Sequence, residues 1–322
     1  MASAVIPAPA AKTENISFTA RFLRITHLLF LLLIGAQFLP DHPTVTEPHT
    51  AWLIWFAVIV EAVTLAVTPL LKKKESLNLF LDIIGFLYGF LLLWTILTAK
   101  TALLPAALFP PFGRILAQFA EDAPKIAVNI KSSVGIILQG FLLALITAIP
   151  LGLVLGWNAR LGSAATYLSK FFSSIPPIVY IPYGIALLPS FRSVSVFVIF
   201  LASFWPVFAG TMSGVLHVDS RILDSAKVLN VSKPTMLLSV ILPASLNQIF
   251  LGCNQGLSVS FILLTSAEMI GARDGMGYYV KYYSDFGDYT RTIVGLLVIG
   301  IVVIGVTFLI NSLQKYLLRW KK

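Results

Sequence analysis

The sequence predicts an all-α, polytopic membrane helical bundle. Two observations lead there. Only 11% of the 322 residues are charged, while 57% are hydrophobic. A soluble domain carries roughly a quarter of charged residues, so a chain this poor in charge cannot cover a water-facing surface and must turn its outside to lipid. The second observation is that the apolar residues gather into eight runs, at about 22–39, 52–71, 79–99, 131–157, 164–188, 193–216, 243–268 and 291–314. Each is close to the roughly 20 residues a helix needs to cross about 30 Å of hydrocarbon.

Taken in order, residues 1–21 precede the first run and read as an N-terminal tail. Run 22–39 has Arg21 and Arg24 ahead of a Leu-rich core, with Gly35-Ala36 behind it. That pattern also fits a cleaved signal. A retained span is adopted because the chain after it already crosses the membrane repeatedly. His42 and His49 follow in a loop without a Cys or carboxylate constellation, so they read as solvated rather than metal-binding. Run 52–71 carries Glu61 at mid-span, where an ionisable group needs a partner on a neighbouring helix or subunit. Asp82 opens the next run close to Lys72–Lys74, which reads as an interface anchor.

The stretch 100–129 is the longest loop. Pro110-Pro111 suits the first turn of a short helix, with Ile115, Leu116 and Phe119 on one face. The same pattern fits a surface-lying helix or an ordinary packed one. Run 164–188 contains Pro176 and Pro177, so a kink is expected there. Lys170 lies near its inner end, placed to snorkel to water or to offer an anion a positive charge. Run 243–268 is unusually polar, with Asn254, Ser258 and Thr265 near one face and Gln255 beside it. Such a face suits either a polar pathway or hydrogen bonding between helices.

Lys and Arg favour cytoplasmic loops. With the N-terminus inside, fourteen of the 23 basic residues fall on inner segments, eight on outer ones, and Lys170 near an inner end. Both termini and the loop before residue 243 are then cytoplasmic. The net charge of +9 is scattered at helix ends, where it meets anionic lipid headgroups rather than nucleic acid. Cys253 is the single cysteine, which excludes an internal disulfide and a multi-cysteine metal site.

The loop at about 217–242 is too polar for lipid. Asp219 and Ser220 can cap a helix, and Ile222, Leu223, Ala226 and Leu229 recur at helical spacing. Asn230 ends it, since Asn tolerates the left-handed conformation of a helix terminator. Ser232 can cap a second helix, with Pro234 in its first turn and Leu237, Val240 and Ile241 on its apolar face. Pro243 is expected to break the chain before the next span.

Within this loop, Asp224-Ser225-Ala226-Lys227-Val228-Leu229-Asn230, followed by Ile241-Leu242-Pro243, resembles the coupling loop of bacterial ABC importer permeases. That family's pattern is Glu-Ala-Ala, then Gly four residues on, then Ile-x-Leu-Pro. Asp224, Ser225 and Asn230 depart from it; Asp keeps the charge, and Asn keeps the turn. Ser174-Ile175-Pro176-Pro177, Ala267-Glu268-Met269-Ile270-Gly271 and Gly275-Met276-Gly277-Tyr278 resemble elements of the nitrate, sulfonate, taurine and bicarbonate subfamily. Three motifs in order make the likeness specific, and it covers roughly 100–320.

The resemblance implies a type I importer permease of the methionine-importer-like fold, in the bacterial inner membrane. Residues 79–322 would be the six-helix permease domain, and 22–78 would add two N-terminal helices. Asp224, Ser225, Ala226, Lys227, Leu229, Asn230, Leu242 and Pro243 would couple to ATPase subunits. Ser173, Ser174, Pro176, Pro177, Asn254, Gln255, Ser258 and Thr265 would line the pathway of a small, anionic solute. The implied partners are two ATPases that carry the ATP and Mg, an extracytoplasmic binding protein, and a second copy or a related permease. This chain would bind no cofactor and catalyse nothing. An ion-gradient-driven transporter is the rival, but no inverted repeat is evident and intramembrane carboxylates are few. A membrane enzyme is disfavoured by the absence of a His-Glu-x-x-His or Ser/His/Asp constellation.

Overall fold

The computed structural model describes residues 24–319. The tail 1–21, and Lys321 and Lys322, lie outside the described residues. Among those described, the chain is helical with no strand. The described residues divide into two compact units, one of residues 24–121 with 289–294, the other of 122–288 with 295–319.

The first unit holds α1 (Ile25–Gln37), α2 (Thr50–Val67), α3 (Lys74–Thr95) and α4 (Phe112–Glu121). Leu33, Leu53, Ala57, Tyr88 and Leu91 form its apolar core, and Phe112 and Leu116 of α4 pack against it. Glu61 is buried and pairs within this unit: its carboxylate meets His27 Nδ1 at 2.5 Å and accepts the Tyr88 hydroxyl at 3.0 Å. The partner is therefore a neighbouring helix. Helix α4 sits so close to the start of α2 that a Cβ on Gly113 would lie 2.8 Å from the His49 carbonyl carbon. Asp82 is exposed and forms no ion pair with Lys72, Lys73 or Lys74.

The second unit holds α5 (Ala123–Trp157), α6 (Ala159–Ser173), α7 (Ile181–Leu187), α8 (Phe191–Leu216), α9 (Ser220–Val228), α10 (Lys233–Thr235), α11 (Leu242–Gly271) and α12 (Met276–Asp285). Helix α13 (Tyr289–Leu317) contributes its residues from 295 onward. Helix α8 packs along both α5 and α11. Small residues permit this approach, as expected where lipid removes the hydrophobic drive between helices. A Cβ on Gly210 would meet the Gly252 Cα at 3.2 Å, and Ser203 and Ser260 share a buried 2.7 Å hydrogen bond between α8 and α11.

All eight expected apolar runs contain helix, and among the described residues six helices are long and apolar enough to cross a membrane. Run 22–39 yields the 13-residue α1. Run 164–188 is broken rather than kinked: α6 ends at Ser173, a 3-10 turn covers Pro177–Tyr180, and α7 follows. Pro176 is extended at φ −60°, ψ 122°. Consecutive prolines remove two amide donors, and each pushes its predecessor out of the helical region. The expected long loop is shorter than read, because α5 begins at Ala123 with Pro124 in its first turn.

Candidate functional site

The loop between α8 and α11 is built as two helices around one bend. Asp219 caps α9 by accepting the Arg221 N–H at 2.9 Å. The Arg221 side chain and N–H, both donating to Asp219, hold its carboxyl below the usual carboxylate range. Helix α9 ends in a Schellman motif: Asn230 N–H donates to Lys227 O at 2.9 Å and Val231 N–H to Ala226 O at 3.3 Å. Asn230 takes the left-handed conformation, φ 55°, as its side chain type permits. Ser232 caps α10 by accepting the Thr235 N–H, with Pro234 in the first turn.

The apolar face of this loop is anchored. Ala226, Met236 and Ile241 are buried with Leu153 and Val215, and Leu223, Val231 and Leu242 pack against them. Of the residues singled out in the loop, Ala226 therefore points inward, and Leu242 holds the base. Asp224, Ser225, Lys227, Leu229 and Asn230 are exposed. Asp224 and Lys227 pair at 3.0 Å with 65% of each side chain exposed, so the pair adds little stability. Val228 and Leu229 are the unusual feature: 85% and 77% of them face out on a rigidly capped helix.

Pro243 does not break the chain, contrary to expectation. Helix continues from Lys233 to Gly271, with Met236–Ile241 wound as a π turn. Pro243 lacks an N–H and its ring crowds the carbonyl four residues back. A widened turn accommodates both without interrupting the helix.

The expected pathway residues lie on two stretches, one around the break after α6 and one along α11. Ser173, Ser174 and Pro176 are exposed and Pro177 half-buried around the break after α6. Ser174 Oγ donates to Lys170 O at 2.8 Å. On α11, Asn254 Nδ2 donates to Asn311 Oδ1 of α13 at 3.2 Å, the helix–helix alternative. Ser258 and Thr265 donate to the carbonyls of Asn254 and Phe261 in their own helix. Gln255 is exposed.

A buried polar clamp at the far end of α11 was not anticipated from the sequence. Glu268 is 2% exposed and accepts from Ser133 Oγ at 2.6 Å and Gly277 N–H at 2.7 Å. Ser133 Oγ in turn accepts the Met276 N–H, and Asn129 Oδ1 accepts the Gly275 N–H, both at 2.8 Å. Tyr279 donates to Asp122 at 2.8 Å. Gly275 has φ +122°, a region L side chains rarely adopt. The Glu268 and Gly275–Tyr278 motifs are thus two halves of one clamp, closed by α5. Glu268 stood in a recognised motif, but nothing local marked Ser133 or Asn129 as its partners.

Comparison with known proteins gives this architecture a family. The sequence profile described as "Binding-protein-dependent transport system inner membrane component" matches residues 148–322. A probable ABC transporter permease protein of Brucella abortus is 34% identical over 194 residues, covering 60% of this chain and 78% of that protein. The bicarbonate transport system permease protein CmpB of Synechococcus elongatus is 28% identical over 184 residues, covering 56% of this chain and 64% of its own length. The nitrate import permease protein NrtB of Leptolyngbya laminosa is 26% identical over 174 residues, covering 54% and 62%. The chain belongs to the family of binding-protein-dependent transport system inner membrane components. It is a multi-pass inner-membrane permease subunit of an ABC transporter, in a family that works with ATPase and binding-protein partners.

Proposed function

We propose that this permease imports a small anion, and that residues 217–242 are the element its ATPase partner grips. The observation that carries the reading is the apolar pair Val228 and Leu229, exposed at the end of α9. Burying a Val or Leu side chain stabilises by about 1.5–3 kcal/mol each. The Asn230 bend and the Ala226–Met236–Ile241 packing hold the pair in a fixed position, so a partner that covers it can push on α8 and α11.

ATP and Mg act on the ATPase subunits, and the chain itself contributes no catalysis. The loop and both termini face the cytoplasm, as the distribution of basic residues suggests. Two permeases, identical or related, enclose the pathway, and an extracytoplasmic binding protein delivers the solute. Residues 79–322 form the permease domain, and 22–78 add two helices. The names of the nitrate and bicarbonate relatives support an anionic solute.

The test is co-purification of the cognate ATPase from membranes. Wild type should retain it, and the double substitution Asp224→Arg, Leu229→Arg should release it while the permease still inserts. Undiminished retention by the double variant would refute the assignment.

A further inference from the structure

A cavity of about 440 Å³ opens beside the Glu268 clamp, inside the second unit. Its wall includes Ser132 of α5, Ser190, Arg192 and Ser195 at the start of α8, and Arg273 and Asp274 after α11. The size falls within the range of small-molecule sites. The wall is mostly apolar, with Ile136 and Phe191 among its residues, and the charges set in it are predominantly cationic. Two guanidinium groups face one carboxylate, and the carboxylate is already engaged, since Ser132 Oγ donates to Asp274 at 3.1 Å. Neither Arg192 nor Arg273 forms a hydrogen bond or ion pair among the described residues.

Two features direct these groups at an anion. Helix α8 begins here, with Ser190 as its cap. The first N–H groups of a helix lack intrahelical acceptors and carry the positive end of its dipole. The walls are also fixed in place. Asp274 and Gly275 are tied to α5 through Ser132 and Asn129, and the adjoining Glu268–Ser133 bond is buried. Arg192 also lines a second cavity, of about 430 Å³, with Gln139 and Thr147. Gln139 is exposed in the middle of an apolar helix, where a polar side chain facing lipid is unfavourable. Arg192 thus lines both cavities, each of which also borders α5.

We propose that the cavity between the start of α8 and the turn after α11 is a binding site for a small oxyanion, with Arg192 and Arg273 as its charge-bearing ligands. Guanidinium matches such a group because its planar fork donates two parallel hydrogen bonds to two oxygens. The Ser132 and Ser195 hydroxyls are engaged with Asp274 and the Phe191 carbonyl, so the guanidinium groups are the donors, and Asp274 sets a counter-charge that keeps the site from holding the anion too tightly to release it. The site rests on the permease reading and adds to it the place where the anion is held, and binding here is measurable without transport.

The experiment is thiol protection on the full-length chain in permeabilised membranes. Cys253 is buried and the only native cysteine, so Ala272→Cys in a Cys253→Ser background gives one reporter in the cavity wall. Its reaction rate is measured with a sulfonate-bearing methanethiosulfonate and with the trimethylammonium analogue. The anionic reagent should react about tenfold faster, as expected of a focused positive field. Nitrate, bicarbonate or methanesulfonate at millimolar concentration should slow it, and which of them does so identifies the oxyanion. Arg192→Gln with Arg273→Gln should remove both preference and protection, while Arg192→Lys with Arg273→Lys should keep the preference. Equal rates for the two reagents, protection by none of the three anions, or a preference that survives the double Gln variant would each overturn the proposal. ATPase co-purification is unaffected by any of these outcomes, so failure here is distinguishable from failure of the coupling assignment.

Discussion

Ser133 and Glu268 stand 135 positions apart and share a buried hydrogen bond of 2.6 Å. Through it α5 is joined to the end of α11, and through Gly277 N–H the same carboxylate holds the start of α12. Removing an acceptor from two buried donors costs about 1–3 kcal/mol for each left unpaired. Glu268→Leu should therefore lower the unfolding temperature of the purified permease markedly. Glu268→Gln, which keeps one acceptor oxygen, should lower it less. Melting of Glu268→Leu at the wild-type temperature would show that the clamp carries no stability.

Asn230 offers a sharper test because its conformation is local. The left-handed region costs an ordinary L residue about 1–2 kcal/mol, and a β-branched residue fares worst there. Asn230→Gly should leave transport-coupled ATPase activity near wild type. Asn230→Val should strain the bend, shift Val228 and Leu229, and release ATP hydrolysis from solute uptake in reconstituted vesicles. Matching coupling ratios in the two variants would contradict the role given to the bend.

Glu61 belongs to the first unit and has no part in the proposed coupling. Its carboxylate serves both His27 and Tyr88. Glu61→Leu should strand His27 Nδ1, leave the Tyr88 hydroxyl only its longer bond to the Ala57 carbonyl, and reduce thermal stability by about 1–3 kcal/mol. The ATPase should still co-purify with the protein that remains folded. Loss of the ATPase from folded Glu61→Leu would instead tie the N-terminal unit to coupling.

What was legible in the sequence was local. Asp219 and Ser232 announce helix starts because short polar side chains reach free amides, and Asn230 announces a terminator. The apolar runs likewise mark where helices must be, since composition alone decides whether a segment tolerates lipid. The illegible parts depend on distance or on competing local rules. Ser133 looks like any small residue in a span until Glu268 is brought to it. The break at Pro176 was hidden because hydropathy averages over a window, whereas proline acts on one or two peptide units. Pro243 misled in the other direction: its missing N–H is absorbed by a π turn that no composition rule registers. Asn254 fitted both a pathway and an interhelical bond, and only the position of Asn311 decides which partner it meets.

That π turn leaves Lys233–Gly271 as 39 residues of uninterrupted helix. At 1.5 Å per residue the shaft is roughly 58 Å long, well beyond the hydrocarbon thickness it must cross. Its near tip adjoins the Asn230 elbow, and its far tip, Gly271, forms part of the arginine-lined cavity wall. Pro243 and the π turn are where such a shaft can flex, and both lie beside the elbow, so the remainder joins the loop to the cavity wall as one rod.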